Sequence, residues 1–211
     1  PTDSTIFEAS TLHRPQSTFG VGQAWRVANK KTQIFYESGG TEVRNYAVNS
    51  SNNITLNGTY PANSLFKKRI IDEQGHQSIE YTDKRGRMIE KRQELESGIY
   101  AHTHYIYDGL GRPRAIIQPM GYELNTGFTY NSTDFQNWVF FYEYDTRGRV
   151  KQKHVPAAGF TKMIYDKKDR LVMQQDALQA TLNKWTFMKY DAFDREVFIG
   201  EVVNTNSQSA L

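Results

Sequence analysis

Stretch after stretch of this chain alternates apolar and polar residues with a period of two, and each stretch runs into the same short polar turn. Thr103, Tyr105 and Tyr107 fall on one face, as do Phe140, Tyr142 and Tyr144, then Thr161, Met163 and Tyr165, then Thr186, Met188 and Tyr190. Period-two patterning rich in aromatics predicts half-buried strands. Its phase predicts that Tyr105, Tyr107, Tyr142, Tyr144, Tyr165 and Tyr190 line one inner face. The polar turn repeats as Tyr107-Asp108 followed by Gly111-Arg112, and as Tyr144-Asp145 followed by Gly148-Arg149. Tyr165-Asp166 with Asp169-Arg170 and Tyr190-Asp191 with Asp194-Arg195 have Asp in place of Gly, and Tyr81, Asp83, Gly86 and Arg87 repeat the form with one inserted residue.

The turn chemistry explains the spacing. An Asp that caps its own turn, two permissive residues and a Gly able to take positive φ describe a type I turn closed by a bulge, a favoured hairpin connection. Asp169 and Asp194 keep the left-handed position accessible, because Asp is among the residues that tolerate it best. Each motif is therefore predicted to be a hairpin tip, with Asp72 to His76 a degenerate tip lacking its Tyr.

These signals divide the chain into a lead-in over 1–64, a hairpin array over 65–203 and a polar tail over 204–211. Within the lead-in, residues 1–28 read as extended or irregular, with scattered Phe7, Leu12, Phe19 and Trp25. Residues 33–37 and 42–46 flank Ser38-Gly39-Gly40-Thr41 and predict one hairpin. Residues 47–60 predict a second, with Asn57-Gly58 as its strongest turn signal. The tip aspartates at 83, 108, 145, 166 and 191 are separated by 25, 37, 21 and 25 residues, so an insertion lies in 120–137 and is predicted to protrude as a loop. Helix signals are sparse, with one short turn predicted near 62–68.

Composition adds exclusions. With no Cys among 211 residues, disulfides, thiolate zinc sites and cysteine nucleophiles are absent. A net charge of +3, evenly spread, gives no argument for nucleic acid, and no apolar run reaches the length needed to span a bilayer. His102 and His104 alternate onto one strand face, a spacing suited to two metal ligands, but no third ligand is evident and a structural role is preferred. Gly20-x-Gly22 and Gly109-x-Gly111 lack the full phosphate-loop pattern. No nucleophile elbow or paired-carboxylate spacing stands out, so no catalytic residue, metal or cofactor is assigned.

The recurring tips resemble the RHS, or YD-repeat, family. The resemblance covers about residues 65–203, and the run from Gly58 to Arg92 is similar to the lead-in of some bacterial RHS chains. It implies consecutive antiparallel hairpins forming a curled β-strip, part of a shell that in toxin proteins encloses a C-terminal effector. The Asp-Pro pair of the self-cleaving core motif is missing, and the chain is short for a closed shell. The first reading is therefore a non-catalytic structural segment of a secreted or cell-surface bacterial protein. Its partners would be the remainder of a longer RHS polypeptide, effector cargo or export machinery. The alternative is a surface carbohydrate-binding or adhesion module using exposed aromatics on a glycan.

Overall fold

The computed structural model describes residues 4–23 and 27–205. Trp25 and most of the polar tail lie outside them. The chain is all-β, with 52% strand against 9% helix, and its strands form consecutive antiparallel hairpins. It divides into two compact units, residues 1–106 with 118–127, and residues 107–117 with 128–211.

In unit 1 the strands are β1 (Ser4–Phe7), β2 (Pro15–Phe19), β3 (Thr32–Gly39), β4 (Arg44–Val48), β5 (Ile54–Thr59), β6 (Leu65–Ile71), β7 (Gln77–Thr82), β8 (Met88–Glu96) and β9 (Ile99–Tyr107). Their sheet order is β1-β2-β3-β6-β7-β8-β9, while β4 and β5 pair as a separate ribbon. The predicted 33–46 hairpin does not form, because seven of the eight residues of β3 pair with β6, Gln33 opposite Ile71 through Gly39 opposite Leu65. Seven long-range pairs with an ion pair from Glu37 to Lys67 outweigh the local turn signal. The second predicted hairpin forms, but it turns at Asn49 rather than Asn57-Gly58. The Asn49 side chain accepts from the amides of Ser51 and Asn53 at 3.0 Å, and Asn52 takes the left-handed φ of 64°. The short turn expected near 62–68 forms only over 62–63, closed by the Ser64 amide donating to the Pro61 carbonyl at 3.3 Å, and is not continued as helix, because β6 begins at Leu65.

Unit 2 holds β10 (Pro113–Ile117), β11 (Val139–Tyr144), β12 (Val150–Val155), β13 (Gly159–Tyr165), β14 (Leu171–Gln175), β15 (Lys184–Tyr190) and β16 (Glu196–Val203), hydrogen-bonded in that order. The insertion expected to protrude is folded down. It carries α1 (Pro119–Glu123), which belongs to unit 1, and α2 (Thr133–Trp138), which belongs to unit 2; α3 (Ala177–Thr181) joins β14 to β15. Ser132 caps α2 by accepting from the Phe135 amide at 3.3 Å. This sets Phe135 against Phe141 and His154, with ring centroids 5.3 and 5.4 Å away. Tyr122, Phe128 and Phe135 are all buried, and each such aromatic contributes roughly 1.5–3 kcal/mol by burial. The insertion's polar composition hid these three anchors.

That packing decides which sheet face is inner. Ile106 and His104 in β9, Phe141 and Val139 in β11, and Trp185 in β15 are buried, and each alternates with the tyrosines of its own strand. The stripe tyrosines of β9, β11 and β15 therefore lie on the face of their own strand opposite its buried residues, contrary to the sequence reading. Alternation showed that the tyrosines share a face but could not say which face the insertion would cover.

Candidate functional site: the ladder of hairpin tips

Six turns among the described residues, at Asp72, Asp83, Asp108, Asp145, Asp166 and Asp191, share one hydrogen-bond scheme. In each, the Asp carbonyl accepts from the amide three residues on, at 2.9 to 3.2 Å. Its Oδ1 accepts from the amides two and four residues on, at 2.8 to 3.0 Å. In five of them the closing residue is Arg87, Arg112, Arg149, Arg170 or Arg195, whose Nε donates to the same Asp Oδ2 at 2.6 to 2.7 Å. At the first turn His76 stands in that place, 3.3 Å from Asp72. The residue before the closing position is left-handed throughout, with φ of 94°, 77°, 84° and 83° at Gly75, Gly86, Gly111 and Gly148, and 66° and 62° at Asp169 and Asp194.

This chemistry shifts the aspartates. Burial pushes Asp145 up, but the Arg149 amide and guanidinium outweigh it and hold the carboxyl below its ordinary value. Asp83, Asp108 and Asp166 show the same balance, whereas at Asp191 the Arg195 amide is itself the largest influence.

The turn residues also join neighbouring hairpins, which the sequence motif did not reveal. In unit 2, Arg112 lies over the ring of Tyr144, Arg149 over Tyr165 and Arg170 over Tyr190, at 4.3, 4.7 and 4.8 Å. Each Tyr hydroxyl donates to the carbonyl just beyond the preceding Arg, at Pro113, Val150 and Leu171, over 2.8 to 2.9 Å. Where Asp replaces Gly, the new carboxylate takes the preceding Arg as well. Arg149 Nη1 reaches Asp169 at 2.6 Å and Arg170 Nη1 reaches Asp194 at 2.5 Å. One Arg thus closes its own turn and clamps the Tyr of the next hairpin.

Tyr81 stands outside this scheme. A one-residue register shift falls between Tyr81 and Thr82, as it falls just before Tyr144, Tyr165 and Tyr190 at their tips. Thr82 therefore occupies the Tyr position, and Tyr81 points to the core, buried under Arg92 at 4.8 Å.

In unit 1, His102 and His104 do share a face, and both turn Nδ1 to Glu90, at 3.1 and 3.3 Å. Glu90 is wholly buried and also receives Arg92 Nε at 2.7 Å. Burial pushes its carboxyl up, but the two histidine hydrogen bonds and the Arg92 charge prevail and hold it well below the usual range. Tyr122 stacks on His102 at 4.5 Å, and Arg44 covers the other side of that tyrosine at 3.9 Å. Among the described residues no group of three His, Cys, Asp or Glu side chains has the arrangement of a metal site. The cluster instead satisfies a buried carboxylate and ties β8, β9 and α1 together. Among the described residues, no helix is long and apolar enough to cross a membrane.

No family model and no curated protein matches this chain. Solved structures do match it. A Photorhabdus luminescens Tc holotoxin pore carrying a substituted TccC3 aligns with 98% of this chain at a TM-score of 0.62 and 13% identity. A complex of TcdB2, TccC3 and Cdc42 aligns with 97% at 0.52 and 14%, and TcdB2-TccC3 without its hypervariable C-terminal region with 96% at 0.52 and 14%. Identity this low speaks for fold alone. This chain has the fold of consecutive antiparallel hairpins found in those Tc toxin chains, and it spans 9 to 11% of their length.

Proposed function

We propose that the chain is a non-catalytic structural segment of an RHS-type β-shell, one that encloses or presents a toxin or effector in a secreted or cell-surface protein. The likeness in fold to Tc toxin chains supports this, and so do the YD-type tips. The observation that carries it is an open rung at the last turn. The side chains of Arg112, Arg149 and Arg170 are 31%, 22% and 24% exposed beneath the next hairpin, whereas Arg195 is 73% exposed and, among the described residues, meets no aromatic ring beyond Phe193 of its own turn. Beside it, among the described residues, β16 pairs with β15 alone and exposes Val197, Phe198 and Ile199. Such an apolar edge invites another strand. A hairpin added to this edge in the manner of the three closed rungs would lay its Tyr under Arg195, with the hydroxyl donating to the Glu196 carbonyl.

The test extends the chain beyond residue 211 with a copy of residues 176–203 on a short linker. The expected result is a higher melting temperature and new protection of the β16 amides from hydrogen exchange. An extended chain with unchanged melting and unprotected β16 amides overturns the shell reading. Cell fractionation that recovers the native polypeptide only from the cytosol overturns the secreted or surface location.

A further inference from the structure

Unit 2 carries a groove that neither the tip ladder nor the β16 edge explains. Strands β12 to β14 form its floor, with the segment ahead of and including α2 on one side and α3 on the other. One lobe of about 400 Å3 is lined by Tyr130 and Phe160, by Gln136, Gln152 and Gln175, and by Lys162. A second lobe of about 210 Å3 shares Gln136, Gly159 and Ala177 with the first and reaches His154. The larger lobe falls within the roughly 300–1,000 Å3 of small-molecule sites.

The lining excludes several ligand classes. The backbone groups of β12, β13 and β14 are spent on one another, from Gln152 opposite Lys162 to Lys162 opposite Gln175, so a peptide cannot bind here by adding a strand. Lys162 is offset by Asp176 in the same lining, and Asp176 already accepts from the Gln179 amide as the cap of α3. That leaves no concentrated positive charge for a phosphate. A lipid chain would strand the glutamine amides and His154 without partners.

The polar groups match hydroxyls. His154 is 1% exposed, and its Nδ1 donates to the Val139 carbonyl at 2.8 Å, which leaves Nε2 as an acceptor that no protein group reaches. Burial pushes the His154 pKa down and keeps the ring neutral. Gln152 donates to the Tyr130 hydroxyl at 2.6 Å and to the Glu143 carboxylate at 3.4 Å, which leaves its Oε1 as an acceptor, and Gln175 donates to the Lys184 carbonyl at 3.0 Å, which leaves it a second amide hydrogen and its oxygen. Tyr130 and Phe160 supply aromatic surface 5.7 Å apart for an apolar sugar face. We infer that this groove binds a neutral saccharide of one or two sugar units, seated against Tyr130 and Phe160 and hydrogen-bonded through Gln136, Gln152 and Gln175. The inference does not depend on the shell reading.

The test is saturation-transfer NMR on the whole chain with glucose, galactose, mannose, N-acetylglucosamine and their disaccharides. At least one is expected to bind with a Kd on the order of 1 mM or tighter. The Ala180→Trp variant, at an exposed α3 position on the rim, is expected to weaken it at least tenfold with the melting temperature unchanged. Gln136→Trp, exposed on α2, gives the same reading if Ala180→Trp disturbs the fold. No transfer from any sugar at about 50 mM overturns the assignment. It is equally overturned by sugar binding that survives both variants, or by trialanine or inorganic phosphate occupying the groove where no sugar does.

Discussion

Arg149 sends Nη1 to the Asp169 carboxylate, 2.6 Å away, at the position where the preceding turn carries Gly148. The left-handed turn position thus has two solutions in this chain. Gly adopts the conformation without strain, whereas Asp accepts some strain and gains an Arg from the neighbouring hairpin. A Cβ placed on Gly148 would lie 3.4 Å from Arg112 Nη1, so the same trade is available there.

Gly148→Asp is therefore expected to cost between about 0 and 2 kcal/mol, because a partly exposed pair returns about 0.2–1 kcal/mol against a strain of roughly 1–2 kcal/mol. Gly148→Val, with the greater strain of a β-branched residue at positive φ and no carboxylate, is expected to cost about 2 kcal/mol or more. Urea unfolding at low and high salt checks both. High salt should narrow the gap between Gly148→Asp and Gly148→Val by screening the ion pair.

Removing the turn cap tests the tip itself. Asp145→Ala loses two amide partners and the Arg149 ion pair, and a cost of about 1–2 kcal/mol is expected. The folded Asp145 pKa is depressed, so this stabilisation is present above the ordinary carboxylate pKa and is lost as pH falls through the folded value. Denaturation of wild type and variant at pH 7 and pH 2.5 should show the gap closing in acid.

The clamp between hairpins separates into two parts. Tyr165→Phe keeps the ring under Arg149 but drops the hydroxyl bond to Val150, and should cost about 1 kcal/mol. A double-mutant cycle between Tyr165→Ala and Arg149→Met should give a coupling of about 0.5–1 kcal/mol. A coupling of zero would show that the ring and guanidinium merely lie close together.

Glu90 is expected to be the most sensitive charged residue of unit 1. Glu90→Gln removes one side of a buried cluster holding Arg92, His102 and His104, and a loss of about 3–5 kcal/mol is expected. The Glu90 carboxyl titrates well below its ordinary value, so its contribution is complete above the ordinary Glu pKa and fades as pH falls below it. Thermal melts from pH 7 down to pH 3 should fall more steeply for wild type than for Glu90→Gln.

How much of this was legible in the sequence differs from element to element. The turns were, because an Asp, its amides and a left-handed Gly or Asp lie within five residues and need no distant partner. Tyr81 was misaligned because Tyr at the wrong parity looks like a tip residue until the strand register shows Thr82 in that place. The rungs from Arg149 to Tyr165 were invisible, since a motif does not say that its Arg reaches into the next repeat.

By itself the sequence determined the all-β class, the positions of the hairpin tips and the shared face of their tyrosines, because each follows from local turn chemistry and a period of two. Tertiary structure decided the rest. It decided that β3 would bypass its neighbour for β6, that the insertion would bury Tyr122, Phe128 and Phe135, and hence which sheet face is the core. These outcomes turn on competition between surfaces far apart in the chain, where burial of a few aromatics outweighs any local preference.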